Sequence, residues 1–226
     1  MELTLIAASL STALILSNAA SILLAASQLK QRTTIARPAG KSPPLSIVIP
    51  SRGVEPFTHE TLERAFSLDW PRYELIFCVA HADDPVVSLI RQAIARFPKV
   101  PTRLLIGDDR VSANPKLNNC VKGWEAARHN WVVLADSNVL MPRDYIQHLM
   151  AAWRTDTGLV CSTPIGSRPE GFWAEVECAF LNTLQARWQY AGEALGLGFA
   201  SRCWMPMAAF ERWPPKSPRT PPRPSW

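Results

Sequence analysis

What this 226-residue chain lacks narrows its chemistry before any motif is read. Glycine is sparse, ten residues in all, and no GxGxxG or GxxxxGK[ST] pattern occurs. The glycine-cradled phosphate sites of dinucleotide and ATP enzymes are therefore not expected. The five cysteines, Cys78, Cys120, Cys161, Cys178 and Cys203, never form a CxxC pair. Scattered and odd in number, they indicate neither a disulfide framework nor a zinc site, and reduced cytosolic thiols are the simpler account. His59, His81, His129 and His148 have no Ser or Cys partner at a convincing turn and read as surface or packing residues. Charged residues make up only 19%, and the net +5 is unevenly placed. From Arg202 to Trp226 five basic residues face one acidic residue, a balance of +4 that leaves +1 for everything else. A basic tail of that kind is not the footprint of a nucleic-acid-binding fold, and no nucleic-acid partner is expected.

Apolar residues are plentiful at 47%, enough to bury a core. The first long run is Leu3 to Leu29, without a charge and rich in Leu, Ile and Ala. A bilayer core of ~30 Å takes about 20 such residues as a helix. Residues 1–29 are thus expected to form a transmembrane anchor. Lys30, Arg32, Arg37 and Lys41 follow, against Glu2 alone on the other side, so the positive-inside rule puts the remainder in the cytoplasm. A cleaved signal peptide, and with it a secreted binding domain, is the competing reading. It wants a basic start and a shorter apolar core.

Beyond a basic, Pro-containing linker at 30–44, strands and helices alternate. Leu45-Ser-Ile-Val-Ile49, Tyr73 to Ala80, Thr102 to Ile106 and Trp131 to Ala135 read as strands, with another near Gly158 to Cys161. Helices are expected over His59 to Ser67, after Asp84-Pro85, over Leu117 to His129 and over Arg143 to Trp153. This order predicts an α/β fold, a mostly parallel doubly wound sheet with flanking helices. Ligands of such sheets bind beyond the carboxyl ends of the strands. Three strand ends carry polar groups there: Pro50-Ser-Arg-Gly53, Asp83-Asp84 and Asp136-Ser-Asn138. A carboxylate at that point suits a hard cation bridging phosphate oxygens, or a nucleoside hydroxyl. Read singly, Asp84 is as well explained as a helix cap and Asp136 as a turn residue; their recurrence at strand ends favours a site.

The strings Asp69-Trp-Pro-Arg-Tyr-Glu, Cys78-Val-Ala-His-Ala-Asp-Asp-Pro85, Asn114-Pro-Lys116 with Asn118-Asn119, and Leu134-Ala-Asp-Ser137 resemble the ceramide glucosyltransferases. The resemblance runs from about Leu45 to Ala200. It implies a membrane-anchored, Rossmann-like GT-A domain over 45–200 that moves a hexose, glucose first, from a UDP-sugar to a lipid hydroxyl such as ceramide, with inversion. It implies a nucleotide-sugar site of Pro50, Arg52, Asp84, Lys116 and Asp136, with Asp84 near base and ribose. Asp136 would serve a divalent metal ion, Mg2+ or Mn2+, and the diphosphate, and Lys116 would face the diphosphate from a loop. His81 would neighbour the donor. Where many GT-A enzymes have a second aspartate, this sequence has Asn138, which implies weaker metal binding. A third aspartate would be the general base.

That aspartate and an Arg/Gln-x-x-Arg-Trp motif are absent from the tail, 201–226, where Pro214 to Pro224 holds six prolines. The tail reads as disordered and out of frame or truncated after about Ala200, and the chain as negligibly active. Hopanoid- or other lipid-directed transfer, and a catalytically dead nucleotide-sugar-binding membrane protein, stay open as alternatives. An aromatic-rich helix over Glu170 to Tyr190 is expected to be core rather than membrane-contacting, with an interfacial role as the alternative.

Overall fold

The structure is a computed structural model that describes residues 2–31, 42–153, 159–163, 165–194 and 207–211. The chain divides into two compact units: Met1–Ile35 with Thr163–Met205, and Ala36–Ser162 with Pro206–Trp226.

The second unit is the α/β layer. Its elements are β1 (Leu45–Pro50), α2 (Thr58–Ala65), β2 (Tyr73–Val79), α3 (Val86–Arg96), β3 (Thr102–Ile106), α4 (Pro115–Ala126), β4 (Trp131–Ala135), α5 (Tyr145–Ala152), β5 (Leu159–Cys161) and β6 (Met207–Glu211). The sheet order is β3-β2-β1-β4-β6-β5. The first four strands are mutually parallel, with Val48 level with Ile76 and Leu134, and β6 runs antiparallel to both β4 and β5. Every residue of β1 is buried, as a strand covered by helices on both faces must be.

Alternation of side chains sorts that burial. Ile47, Ile49, Leu75, Phe77 and Val79 join residues of α2, α3 and α5 in one core. Val48, Ile76, Cys78 and Val132 face the other way and meet Ala127. On that face α4 comes close enough that a Cβ at Gly123 would lie 2.9 Å from the Cys78 sulfur and overlap a methyl of Val48.

Among the described residues of this unit, one charged group is buried. Glu74, at the start of β2, is 3% exposed. It accepts from Ser46 Oγ on β1 at 2.7 Å, from the Arg128 backbone N–H at 2.9 Å and from Arg103 Nη2 on β3 at 3.0 Å. Arg103 also donates to the Ala126 carbonyl at 2.6 Å. Burial pushes the Glu74 carboxyl up; the Ser46 and Arg128 hydrogen bonds, then the charges of Arg103 and His129, outweigh it and hold it low. The network fastens the α4–β4 turn to the amino-terminal end of the sheet, away from the loops that follow the strands.

The first unit is helical. α1 (Glu2–Gln31) contains a 24-residue stretch, Thr4–Ser27, of mean hydropathy 1.7, ~36 Å long at helical rise. Its polar side chains bond to their own helix: Ser9, Thr12, Asn18, Ser21 and Ser27 each donate to a carbonyl three or four residues back. α6 (Phe172–Phe180), a π-helical turn (Leu181–Gln185) and α7 (Ala186–Ala194) follow one another without a break, and α7 packs against α1.

Several expectations are corrected. α4 begins at Pro115, so Lys116 lies in its first turn and not in a loop; the Asn114 side chain caps it, accepting from the Lys116 and Leu117 N–H groups at 3.0 and 3.3 Å. α3 begins at Val86, one residue later than a helix with Pro85 as its first residue. The aromatic helix near 170–190 is not core, since α6 and the π turn bury none of their residues. The tail is not wholly without structure: Met207–Glu211 is paired between β4 and β5, because four apolar residues ending in a glutamate suffice for a short strand where two edges await a partner. Residues 201–206 and 212–226, which include the proline cluster, lie outside the described residues.

Two stability outcomes follow. Glu74→Ala leaves Arg103 without its buried partner and is expected to lower unfolding free energy by ~3–5 kcal/mol, read by denaturant titration. Because the folded pKa is lowered, the Glu74 contribution is complete above the ordinary glutamate range and fades as pH falls through the depressed value. Glu74→Gln should flatten that acid limb. Gly123→Ala should cost ~1–3 kcal/mol through overpacking, measured in the same titration.

Candidate functional site

Since β1 to β4 are parallel, their carboxyl ends open on one edge. β1 is flanked by β2 and β4, so the turn Ser51-Arg-Gly53 stands between the loop after β2, which carries Asp84, and the loop after β4, which begins with Asp136. Pro50 is level with Cys78, and continuing the β1–β4 register sets it level with Asp136. The two aspartates thus belong to the same rim.

Each is held by a specific partner. The Asp84 Oδ1 and Oδ2 atoms both lie 3.0 Å from the Gly53 backbone N–H, and Oδ1 also accepts from the Val86 N–H at 2.9 Å. Gly53 has φ +67° and nothing near its absent Cβ. Here the glycine is needed for the backbone, which L side chains rarely adopt. Asp84 therefore does two things at once. It satisfies the opening turn of α3, as a cap would, and it fixes the β1 turn beside it. Arg52 is exposed at the tip of that turn, and Pro50 is buried at its base.

Asp136 meets Lys116. The Lys116 Nζ is 2.7 Å from Asp136 Oδ1; the lysine side chain is half exposed and the aspartate mostly buried. Asp136 and Ser137 line a small cavity with Ile49, Leu62, Phe77 and Met141. Burial pushes the Asp136 carboxyl up, and the Lys116 hydrogen bond and charge offset only part of that. A carboxylate kept in such a place wants more positive charge than it has.

Two further residues build the rim, and neither stood among the expected site residues. Asn118, 4% exposed, accepts at Oδ1 from the Val111 and Ser112 N–H groups at 3.1 and 2.8 Å and donates from Nδ2 to the Ser112 carbonyl at 3.1 Å. It fastens the loop from which Asn114 caps α4. Lys122 Nζ donates to the carbonyls of Val79 at 3.3 Å and Gly107, joining the ends of β2 and β3. Asn118 was at hand in the Asn118-Asn119 string; Lys122 had no signal, since a helical lysine normally reads as solvated. Cys78 is no nucleophile, because burial pushes its thiol up to about 12.

Among the described residues no three His, Cys, Asp or Glu side chains gather as a metal cluster. Asp136 is one carboxylate, with the Asn138 amide two residues on. Mg2+ and Mn2+ sites of phosphate-transfer type use one or two carboxylates and take the remaining ligands from water and phosphate. The residues present fit an ion shared with a bound diphosphate, and not one caged by protein alone.

A parallel sheet with flanking helices and an acidic rim of this kind is the GT-A type of glycosyltransferase fold. A mannosyltransferase from Pyrobaculum calidifontis, solved with GDP-Man and Mn2+, shares it with a TM-score of 0.55 and 18% identity over 90% of this chain and 56% of its own. The model of glycosyl transferase family 21 matches residues 13–210, and the chain belongs to that family. Ceramide glucosyltransferase 3 of Caenorhabditis elegans is 29% identical over 155 residues, 68% of this chain and 34% of the relative. Ceramide glucosyltransferase of Komagataella phaffii (strain GS115 / ATCC 20864) is 35% identical over 99 residues, 42% and 19% respectively. The chain spans about a third of the length of the first of these.

Replacing Gly53 by Ala is expected to strain the turn and loosen Asp84 while leaving the sheet intact. Hydrogen exchange should rise at residues 51–54 and 84–87 and stay unchanged in β1 and β2.

Proposed function

We propose that the chain binds a nucleotide sugar at the strand-end rim and belongs to a membrane-anchored enzyme that transfers the hexose to a lipid hydroxyl. The observation that carries this reading is the Lys116–Asp136 pair, set on the same rim as the Asp84–Gly53 turn. A UDP-sugar is the donor and glucose its first candidate sugar. Ceramide is the acceptor favoured by the relatives' names, with hopanoid and diacylglycerol hydroxyls as the other candidates. Asp84 and the Arg52 turn take the nucleoside end, and Lys116 offers its charge to the diphosphate. Asp136 would hold a divalent ion, which when bound supplies positive charge for the departing diphosphate.

The lipid hydroxyl attacks the anomeric carbon from the face opposite the diphosphate, which gives inversion, and a carboxylate base takes its proton. α1 crosses the membrane with Lys30 and Arg32 on the cytoplasmic side, which supports an acceptor dissolved in the bilayer. A second reading keeps nucleotide-sugar binding without transfer.

Calorimetric titration with UDP and UDP-glucose, with and without Mg2+ or Mn2+, tests the common part. Lys116→Ala and Asp136→Asn should each weaken binding ~10-fold or more, from the loss of a charged contact worth ~1.5–3 kcal/mol, while thermal unfolding still shows a folded sheet. Absence of any UDP binding by the unaltered chain would sink the proposal. Transfer assays with ceramide, diacylglycerol and hopanoid acceptors then separate the two readings.

A further inference from the structure

The helical unit is packed inside out. Among its described residues those that are buried are small, Ser21 and Ala25 on α1 and Ala186 and Ala191 on α7. Its large apolar side chains point outward: Leu14 and Leu23 on α1, and Phe172, Trp173, Phe180 and Trp188 on the following rod, with Trp173 79% and Phe172 68% exposed. The α/β unit does the reverse, with Phe77, Leu45 and Ile47 at 0–1%. Helices meeting through small residues and presenting large ones outward follow the packing rule of lipid, not of water. An exposed apolar stripe this long marks an interaction surface.

The stripe is also straightened. Phe172, Val176, Phe180, Leu184 and Trp188 recur every fourth residue, and in an uninterrupted α-helix such a series drifts by ~40° per step. The π turn over Leu181–Gln185 rotates less per residue and reverses part of the drift, so all five remain exposed. The other side of the rod is occupied. Asn182 accepts from the Gly166 N–H at 2.8 Å and donates to its carbonyl at 2.9 Å, so the Ile165–Gly166 segment lies along that side. Glu175 and Glu177 flank the stripe, and two carboxylates are too costly for the bilayer centre.

We propose that the rod Phe172–Ala194 lies in the interfacial layer of the lipid bilayer, with the Phe172–Trp188 stripe at the boundary of headgroups and acyl chains and the glutamates in water. This rests on α1 being a membrane span, since α7 packs against α1 and the rod therefore stands beside it. Tryptophan and phenylalanine on one face with acidic residues at its margin suit that depth.

The test uses the full 226-residue chain in phosphatidylcholine vesicles whose acyl chains are brominated near the headgroup end. Unaltered protein is compared with Trp173→Phe, whose ring packs edge-on against that of Phe172 at 5.2 Å between centroids, and with Trp188→Phe, substitutions mild enough to keep the fold. All three should float with the vesicles, and the bromine-quenched part of the tryptophan emission should fall in each variant, because a quenched residue has been removed. Flotation with an unchanged quenched part in both variants would mean that protein or water covers the stripe; the proposal then fails while the anchor stands. Failure of all three to float overturns the anchor and the proposal together.

Discussion

Burial of β1 on both faces, between two parallel neighbours, is the constraint that organises the α/β unit. With helices above and below, no polar side chain can leave the middle of the layer without losing its hydrogen bonds, and the chain's polar chemistry is driven to the strand ends. It collects there in two places with different work. At the amino-terminal ends Glu74 ties β1, β2, β3 and the turn before β4 together through Ser46, Arg103 and Arg128. At the carboxyl ends Asp84, Lys116 and Asp136 hold loops and carry charge that the core does not need. The carboxylate of the first cluster is buried, whereas the second cluster is open to the strand-end loops.

The openness has an electrostatic side. Lys116 and Asp136 together are neutral, so the pair cannot by itself balance a doubly charged diphosphate. In the proposed reading Asp136 would hold a divalent ion, which would add positive charge and leave Lys116 to face the leaving group. That division of labour would give the buried carboxylate at the strand end a use. It also gives Asn114 a role beyond the backbone, since the cap it provides sets the first turn of α4 and with it the lysine.

The two units obey opposite rules of burial, and the opposition is informative because composition alone conceals it. Apolar residues are abundant in both. In one they fill the space between helices and sheet; in the other small residues make the contacts and large ones are left outside. This contrast is what the proposed lipid contact of the helical unit rests on.

The alternation of apolar runs with helical periods determined the order of strands and helices, and the boundaries of Thr102–Ile106 and Trp131–Ala135, because local patterning is enough to say that a segment is buried and extended. Asp84 and Asp136 were marked in advance by their positions after strands, and Lys116 by the resemblance. Part of that resemblance proved structural: in the Asp69-Trp-Pro-Arg-Tyr-Glu string, Trp70 bonds the Pro43 carbonyl and Glu74 lies in the buried network. What only the tertiary structure decided was which residues meet. Lys122 at the ends of β2 and β3, Gly53 opposite Asp84, β6 between β4 and β5 and the outward face of α6 all depend on partners distant in sequence. Local patterning says that a side chain is apolar or charged, but only the fold brings it to what it touches.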